Sequence, residues 1–216
     1  MRKNAKIVIA DYGVGNLRSL IRAFEHFGAD VAITEEADKI SSADALVLPG
    51  DGAFAAGMEG LKVRGLTKAV LDFAKGSKPL LGICLGAQIL MSQGFEFGKH
   101  SGLNLISGKV VKFNKNIGAK IPQIGWNNIY PAGEKEWKGT ILEGIKPQSN
   151  VYFIHSYILV PKDKNAALAL TNYGSNEFCS VVRKDQIWGC QFHPEKSGQV
   201  GLKIIGNFIK MVRTKG

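Results

Sequence analysis

The sequence predicts an α/β protein: an open mixed, mostly parallel sheet flanked by helices, with additional antiparallel strands in the second half. Two observations carry this. The first half alternates short apolar runs with segments of helical periodicity, the pattern of strands joined through crossover helices. The second half holds six further apolar or alternating runs separated by turn residues, for which antiparallel or mixed pairing is expected. With 45% hydrophobic and 21% charged residues among 216, the whole chain reads as one soluble domain, residues 1–216. That length buries roughly 70% of its unfolded surface without a disulfide or metal staple.

Taken in order, Lys6–Ala10 is a strand ending at Asp11, followed by a glycine-broken loop. In NLRSLIRAFEHFG, Leu17, Leu20, Ile21, Phe24 and Phe27 are spaced by three and four, which places them on one helical face, with Gly28 as C-cap. Val31–Thr34 and Ala45–Leu48 are short apolar runs followed by turn residues, as suits strands buried in a parallel sheet. A helix is expected over Gly65–Lys75, a strand over Pro79–Ile83 and a helix over Leu85–Ser92. The later strands are Leu105–Phe113, Gln123–Tyr130, Val151–Val160, Ala166–Asn172, Phe178–Arg183 and Ile187–Phe192, with turns such as Tyr173-Gly174 between them. A closing helix, about Gln199–Val212, carries Val200, Ile204, Ile205, Phe208 and Ile209 on one face. There is no internal repeat, low-complexity tract or linker.

Composition narrows the function. Net charge is +10, from 28 Lys+Arg against 18 Asp+Glu. The lysines are scattered from Lys3 to Lys215 and do not cluster with aromatic residues, so they read as a solvated basic surface, and no nucleic-acid partner is expected. The N-terminal apolar run, Ile7–Ala10, is too short for a secretory segment, and no window reaches the length of a membrane span. Cys84, Cys179 and Cys190 are odd in number and lack a C-x-x-C pairing, which argues against a disulfide framework and a zinc site. A reducing cytoplasm is the expected location.

Three segments carry chemistry. In KPLLGICLGAQIL, Gly82 and Gly86 flank Cys84 where strand passes into helix, a nucleophile elbow of the form G-x-C-x-G. The glycines are expected because side chains there would strike neighbouring backbone, and the helix start would present N–H groups to the sulfur. In GCQFHPEKSG a strand end delivers His193, Pro194 and Glu195. Pro194 fixes the backbone so that the carboxylate can orient the imidazole, which would serve as general base to Cys84. In LVLPGDGAF another strand runs into a glycine-broken loop; backbone N–H groups of Gly50, Asp51 and Gly52, with that of Leu85, are candidates for an oxyanion hole.

Together, G-I-C-L-G-A-Q, P-G-D-G-A-F and Q-F-H-P-E-K-S resemble the class I, triad-type glutamine amidotransferases. Within that class, DYGVGNLRSL, IPQIGWNN, FIHSY and HPEKSG look like the glutaminase subunits of imidazole glycerol phosphate synthases, over nearly the whole chain. The resemblance implies a glutamine substrate, a thioester on Cys84 and release of ammonia with no metal or organic cofactor. It assigns Gln88, His155, Ser156 and Tyr157 to substrate binding. It also implies a (β/α)₈-barrel cyclase partner forming a heterodimer. Asp11, Tyr12, Gly13, Asn16, Gln123, Trp126 and Lys196 match segments that lie against that partner.

Two positions depart from the synthase pattern: Asp51 stands where valine is usual, and Gln123 replaces a common histidine. The segments FEFGKHSGLNLISG and FCSVV also resemble a paralogue that supplies ammonia for nucleotide-sugar amidation in bacterial surface-polysaccharide synthesis. A catalytically silent binding module on the same scaffold is a third reading, disfavoured by the intact triad.

Overall fold

A computed structural model describes residues 5–114 and 116–215. Strand β1 (Lys6–Ala10) is buried from Ile7 onward, so its sequence is continuously apolar instead of alternating. In α1 (Leu17–Glu25), Leu20, Ala23 and Phe24 are buried. The side chain of Asn16 caps it, accepting the Ser19 N–H at 3.5 Å. Gly28 follows with φ +61, the left-handed turn expected of a glycine at a helix end.

Next come β2 (Asp30–Thr34), α2 (Ala37–Ser42), β3 (Ala45–Leu48), α3 (Phe54–Val63), α4 (Leu66–Ala74), β4 (Leu80–Ile83) and α5 (Leu85–Ile89). Helices α2 and α3 have little sequence signal. The six-residue α2 buries only Ile40, and α3 contains Gly57 and Gly60, residues that disfavour a helix interior. Close packing explains them: a Cβ on Gly60 would overlap the Tyr12 carbonyl, and one on Gly57 would lie 3.1 Å from Leu85.

The second half is β5 (Met91–Gly94), β6 (His100–Ser101), β7 (Ile106–Lys112), β8 (Gln123–Pro131), β9 (Ser149–His155), β10 (Tyr157–Pro161), β11 (Ala167–Tyr173), β12 (Asn176–Lys184), β13 (Ile187–Cys190) and α6 (Gly198–Lys215). Two expectations are corrected. The helix expected over Leu85–Ser92 ends at Ile89, because Met91–Gly94 pairs with β6 and β7. The single strand expected over Val151–Val160 breaks at Ser156: β9 pairs with β8, whereas β10 pairs with β7 and β12.

The main path runs β2-β1-β3-β4-β13-β12-β10-β7-β5-β6, with β11, β8 and β9 branching from β12. Pairing is parallel from β2 through β13 and antiparallel from β13 to β7. One apolar core joins the sheet to α1 and α6, where Phe24 and Phe208 meet edge to face at 6.3 Å. The other lies between the sheet and the helices that include α3, α4 and α5. Parallel pairing of β13 with β4 sets Cys190 beside Ile83, which brings the two most informative motifs together across 106 residues of sequence, a separation on the order of the whole domain. Among the described residues, no helix is long and apolar enough to cross a membrane.

Candidate active site

Cys84 sits between β4 and α5 with φ +52 and ψ −107, a conformation that residues with side chains adopt only where their surroundings enforce it. The enforcing contacts are backbone to backbone. A Cβ on Gly82 would lie 2.6 Å from the Gly86 carbonyl oxygen, and one on Gly86 would overlap that of Leu48. The Cys84 N–H donates to the Cys190 carbonyl at 2.7 Å. Its Sγ lies 3.8 Å from both Gln191 Nε2 and the Ile154 carbonyl. Because α5 has only five residues, the helix dipole at the sulfur is small, leaving His193 as the principal source of positive charge.

His193 Nδ1 lies 2.7 Å from Glu195 Oε1, with both side chains almost fully buried. The surrounding backbone is held tightly. His193 N–H donates to the Tyr152 carbonyl at 2.9 Å. The Ser197 hydroxyl donates to the His193 carbonyl at 2.6 Å and accepts the Tyr152 N–H at 2.9 Å. Gly201, in the first turn of α6, packs so closely on the Pro194 carbonyl that any Cβ would overlap it. Burial works against a charged His193 imidazole, but hydrogen bonding and charge from Cys84 and Glu195 outweigh it and push the group above its ordinary value. The other ring nitrogen, Nε2, has no well-aligned hydrogen bond in this arrangement, so the interaction with Cys84 that raises the group is one of close approach without ideal alignment.

The Leu85 N–H, expected as an oxyanion donor, is already engaged: it donates to the Gly50 carbonyl at 3.3 Å. Asp51 is exposed at the mouth of the site, as is Gly52, which has φ +119 and open space where a side chain would go. The Tyr12 hydroxyl donates to the Pro49 carbonyl, and a Cβ on Gly15 would lie 3.2 Å from the Gly50 backbone. The loop after β1 therefore packs directly on the Pro49–Gly52 loop.

A cavity of about 290 Å³ opens over Cys84. Of the residues singled out in the sequence, it is lined by Asp51, Gly52, Gln88, His155, Ser156, Tyr157 and Lys196. Glu96, Pro122 and Ile154 also line it; they belong to the segments FEFGKHSGLNLISG, IPQIGWNN and FIHSY, which the resemblance marks as wholes without singling out these side chains. The Gln88 amide donates to the Tyr157 carbonyl at 3.1 Å and to Gln191 Oε1 at 3.3 Å, so it braces the cavity wall. Glu96 Oε2 accepts the Phe54 N–H at 2.7 Å and ties the rim to the start of α3. Gln191, which reaches both Cys84 and Gln88, stands two residues before His193 in the Q-F-H-P-E motif and joins the site although the motif alone gives it no role.

The residues matched to a partner surface divide. Gly13, Asn16 and Trp126 are exposed, Asp11 and Lys196 are half-buried, and Tyr12 and Gln123 are buried. The last two side chains are not available at the surface as expected: Tyr12 clamps Pro49, and Gln123 points to the inner face of the β8–β9 pair. The outer face of that pair carries Ile124 at 60% and Trp126 at 55% exposure, opposite Ile154 and Tyr152. This apolar strip runs into the cavity rim at Ile154.

The sequence profile of the glutamine amidotransferase class-I family matches residues 8–212, and the chain belongs to that family. It is a glutaminase-type enzyme. More particularly, it is 46% identical over 212 residues to imidazole glycerol phosphate synthase subunit HisH 1 of Legionella pneumophila (strain Paris), covering 96% of this chain and 100% of that protein. It is also 46% identical over 208 residues to subunit HisH of Methanosarcina barkeri (strain Fusaro / DSM 804), covering 95% and 98%. Among solved structures, PurLQS from Thermotoga maritima superposes with a TM-score of 0.74 at 18% identity, covering 97% of this chain and 99% of that one. A glutamine amidotransferase superposes at 0.72 with 17% identity, covering 95% and 98%. Both share the fold.

Proposed function

We propose that the chain is the glutamine-hydrolysing subunit of an imidazole glycerol phosphate synthase, acting as one amidotransferase domain with Cys84, His193 and Glu195 as its triad. Cys84 Sγ attacks the glutamine amide carbonyl after His193 takes its proton. His193 then protonates the leaving nitrogen, so the C–N bond breaks, ammonia departs and a γ-glutamyl thioester remains. Water, deprotonated by the same imidazole, releases glutamate and restores the thiol. Glu195 holds Nδ1–H and stabilises the positive imidazole. The observation that carries this reading is the buried His193–Glu195 pair at 2.7 Å, beside a strained Cys84 whose sulfur borders the cavity. The test is glutamate formation from glutamine: Cys84→Ala should abolish it while the fold is retained, and full turnover by that variant would overturn the assignment.

The ammonia acceptor, on this reading, is a (β/α)₈-barrel cyclase subunit in a cytoplasmic heterodimer, yielding imidazole glycerol phosphate and an aminoimidazole carboxamide ribotide in histidine biosynthesis. The HisH relatives favour this over the surface-sugar paralogue. The docking face is the strip of Ile124, Trp126 and Ile154, to which the resemblance adds the exposed Gly13 and Asn16. Activation by the partner acts on the Gly50–Asp51 peptide. Its rotation would free the Leu85 N–H from the Gly50 carbonyl and turn a second N–H toward the site, and Gly15 and Tyr12 link that loop to the docking side.

A further inference from the structure

Beside the Cys84 cavity the β8–β9 pair buries two hydrogen-bond acceptors that lack donors. Gln123 and His155 are cross-strand partners, so their side chains leave one face of the pair side by side. They are 0% and 7% exposed. Neither Gln123 Oε1 nor His155 Nε2 has a hydrogen-bond partner.

The network fixes which atoms these are. Asn127 Nδ2 donates to the Asn172 carbonyl at 3.4 Å, which turns Asn127 Oδ1 toward Gln123, where it accepts from Nε2 at 2.9 Å. The Gln123 oxygen therefore faces away from Asn127. His155 Nδ1 lies 2.9 Å from the Tyr157 carbonyl, an acceptor, so Nδ1 carries the proton and Nε2 is a bare lone pair. Burial, with the nearby charge of His193, pulls His155 down to about 3, and the ring is packed between Phe113, at 5.3 Å between centroids, and Phe178. It stays neutral.

A buried acceptor left unsatisfied is costly. Two adjacent neutral acceptors among aromatic rings suit a small neutral molecule that donates at least two hydrogens. An anion is excluded by the lone pairs, and a cation by the cost of burying a charge with no opposite charge beside it. We infer that Gln123 Oε1 and His155 Nε2, buried cross-strand neighbours of which His155 lines the Cys84 cavity, form a holding site for the ammonia released from glutamine. The proposal rests on the glutaminase reading. The site keeps the leaving nitrogen as NH₃, unprotonated, because a neutral imidazole that donates through Nδ1 has no proton to give at Nε2. Water has the same donor chemistry and is the competing occupant.

The test uses return of ammonia to the thioester, the reverse of acylation. NH₃ attacks the thioester carbonyl, the C–N bond forms, the C–S bond breaks, and His193 takes the nitrogen's extra proton. The full chain is given unlabelled glutamine and ¹⁵N-ammonium at mildly alkaline pH, and ¹⁵N-glutamine formed is divided by glutamate formed. That ratio does not depend on how much protein is folded. Gln123→Met, which removes the acceptor at similar volume, should lower it about fivefold, the worth of one neutral hydrogen bond. Gln123→His, which can still donate to Asn127 and present a lone pair, should keep it within twofold of wild type. An unchanged ratio in Gln123→Met would overturn the proposal and leave a structural water as the occupant. Absence of glutamate formation by the wild-type chain, with its cyclase partner present, would instead defeat the glutaminase reading.

Discussion

Replacing Gly52 by alanine isolates the conformational demand on the oxyanion loop. Nothing lies within 4 Å of the position a Cβ would take, so the methyl meets no wall in the resting state. The cost comes from φ +119, a region that L-residues occupy only with about 1–3 kcal/mol of strain. The resting Leu85–Gly50 hydrogen bond, at 3.3 Å, is long, and breaking it costs no more than about 1 kcal/mol. The two peptide arrangements therefore lie close in energy, and strain of the size introduced by alanine is enough to shift the balance. If it opposes the rotation, the stimulated rate loses the contribution of an oxyanion donor, up to about 10²–10³. Steady-state glutaminase kinetics with and without the partner subunit should show partner-stimulated kcat down by at least about tenfold, with KM for glutamine changed less than about threefold. Stimulation equal to wild type would refute the rotation and leave the loop as an ordinary turn.

Glu195→Gln should keep the ring oriented but lose the charge that stabilises positive His193, lowering kcat about tenfold, the difference between a charged and a neutral hydrogen bond; undiminished activity in kinetic assays would place the orienter elsewhere. Ile124→Lys should weaken binding of the cyclase subunit in calorimetry by about tenfold or more, since it sets a charge in an apolar strip, while glutaminase activity of the isolated chain stays unchanged. The two histidines should give opposite pH slopes to stability. His155, held down to about 3, takes up a proton only on unfolding between about pH 3 and 6.5, so acidification in that window destabilises the fold by up to about 1.4 kcal/mol per pH unit. His193 is pushed up, so its stabilisation is complete below about pH 6.5 and is lost as pH rises through its folded value. Denaturant titrations of His155→Gln should show the acid slope reduced by about one proton; an unaltered slope would mean that the buried ring is not the source.

The parallel half was legible because β1, β3, β4 and β13 are buried and read as nearly unbroken apolar runs, and because glycines mark the turn at Cys84. The motifs of the proposed triad were legible because G-x-C-x-G and H-P-E encode their local geometry within a few residues. Legibility failed where a neighbour decides the outcome. Gly57 and Gly60 argue against a helix until Leu85 and Tyr12 are seen pressed against them. Met91–Gly94 continues a helical pattern until β6 and β7 offer it partners. Glu96 reaches the cavity by a loop whose path no local pattern specifies. Tyr12 and Gln123 sit in segments that contribute to the surface, but the Tyr12 hydroxyl is drawn in to the Pro49 carbonyl and strand alternation turns Gln123 inward.

The seating of Gly201 against the Pro194 carbonyl, with α6 packed on α1 through Phe24 and Phe208, bears on when the enzyme can first act during its synthesis. Cys84 lies in the part of the chain made early, whereas the imidazole it depends on is fixed only once the last helix has docked against the first. A nascent chain can pair its first four strands and still lack both β13, whose Cys190 carbonyl accepts the Cys84 N–H, and the base that follows it. Glutamine in the cell is thereby protected from half-made copies of the protein, and a chain that loses its final helix should fold in part yet hydrolyse nothing.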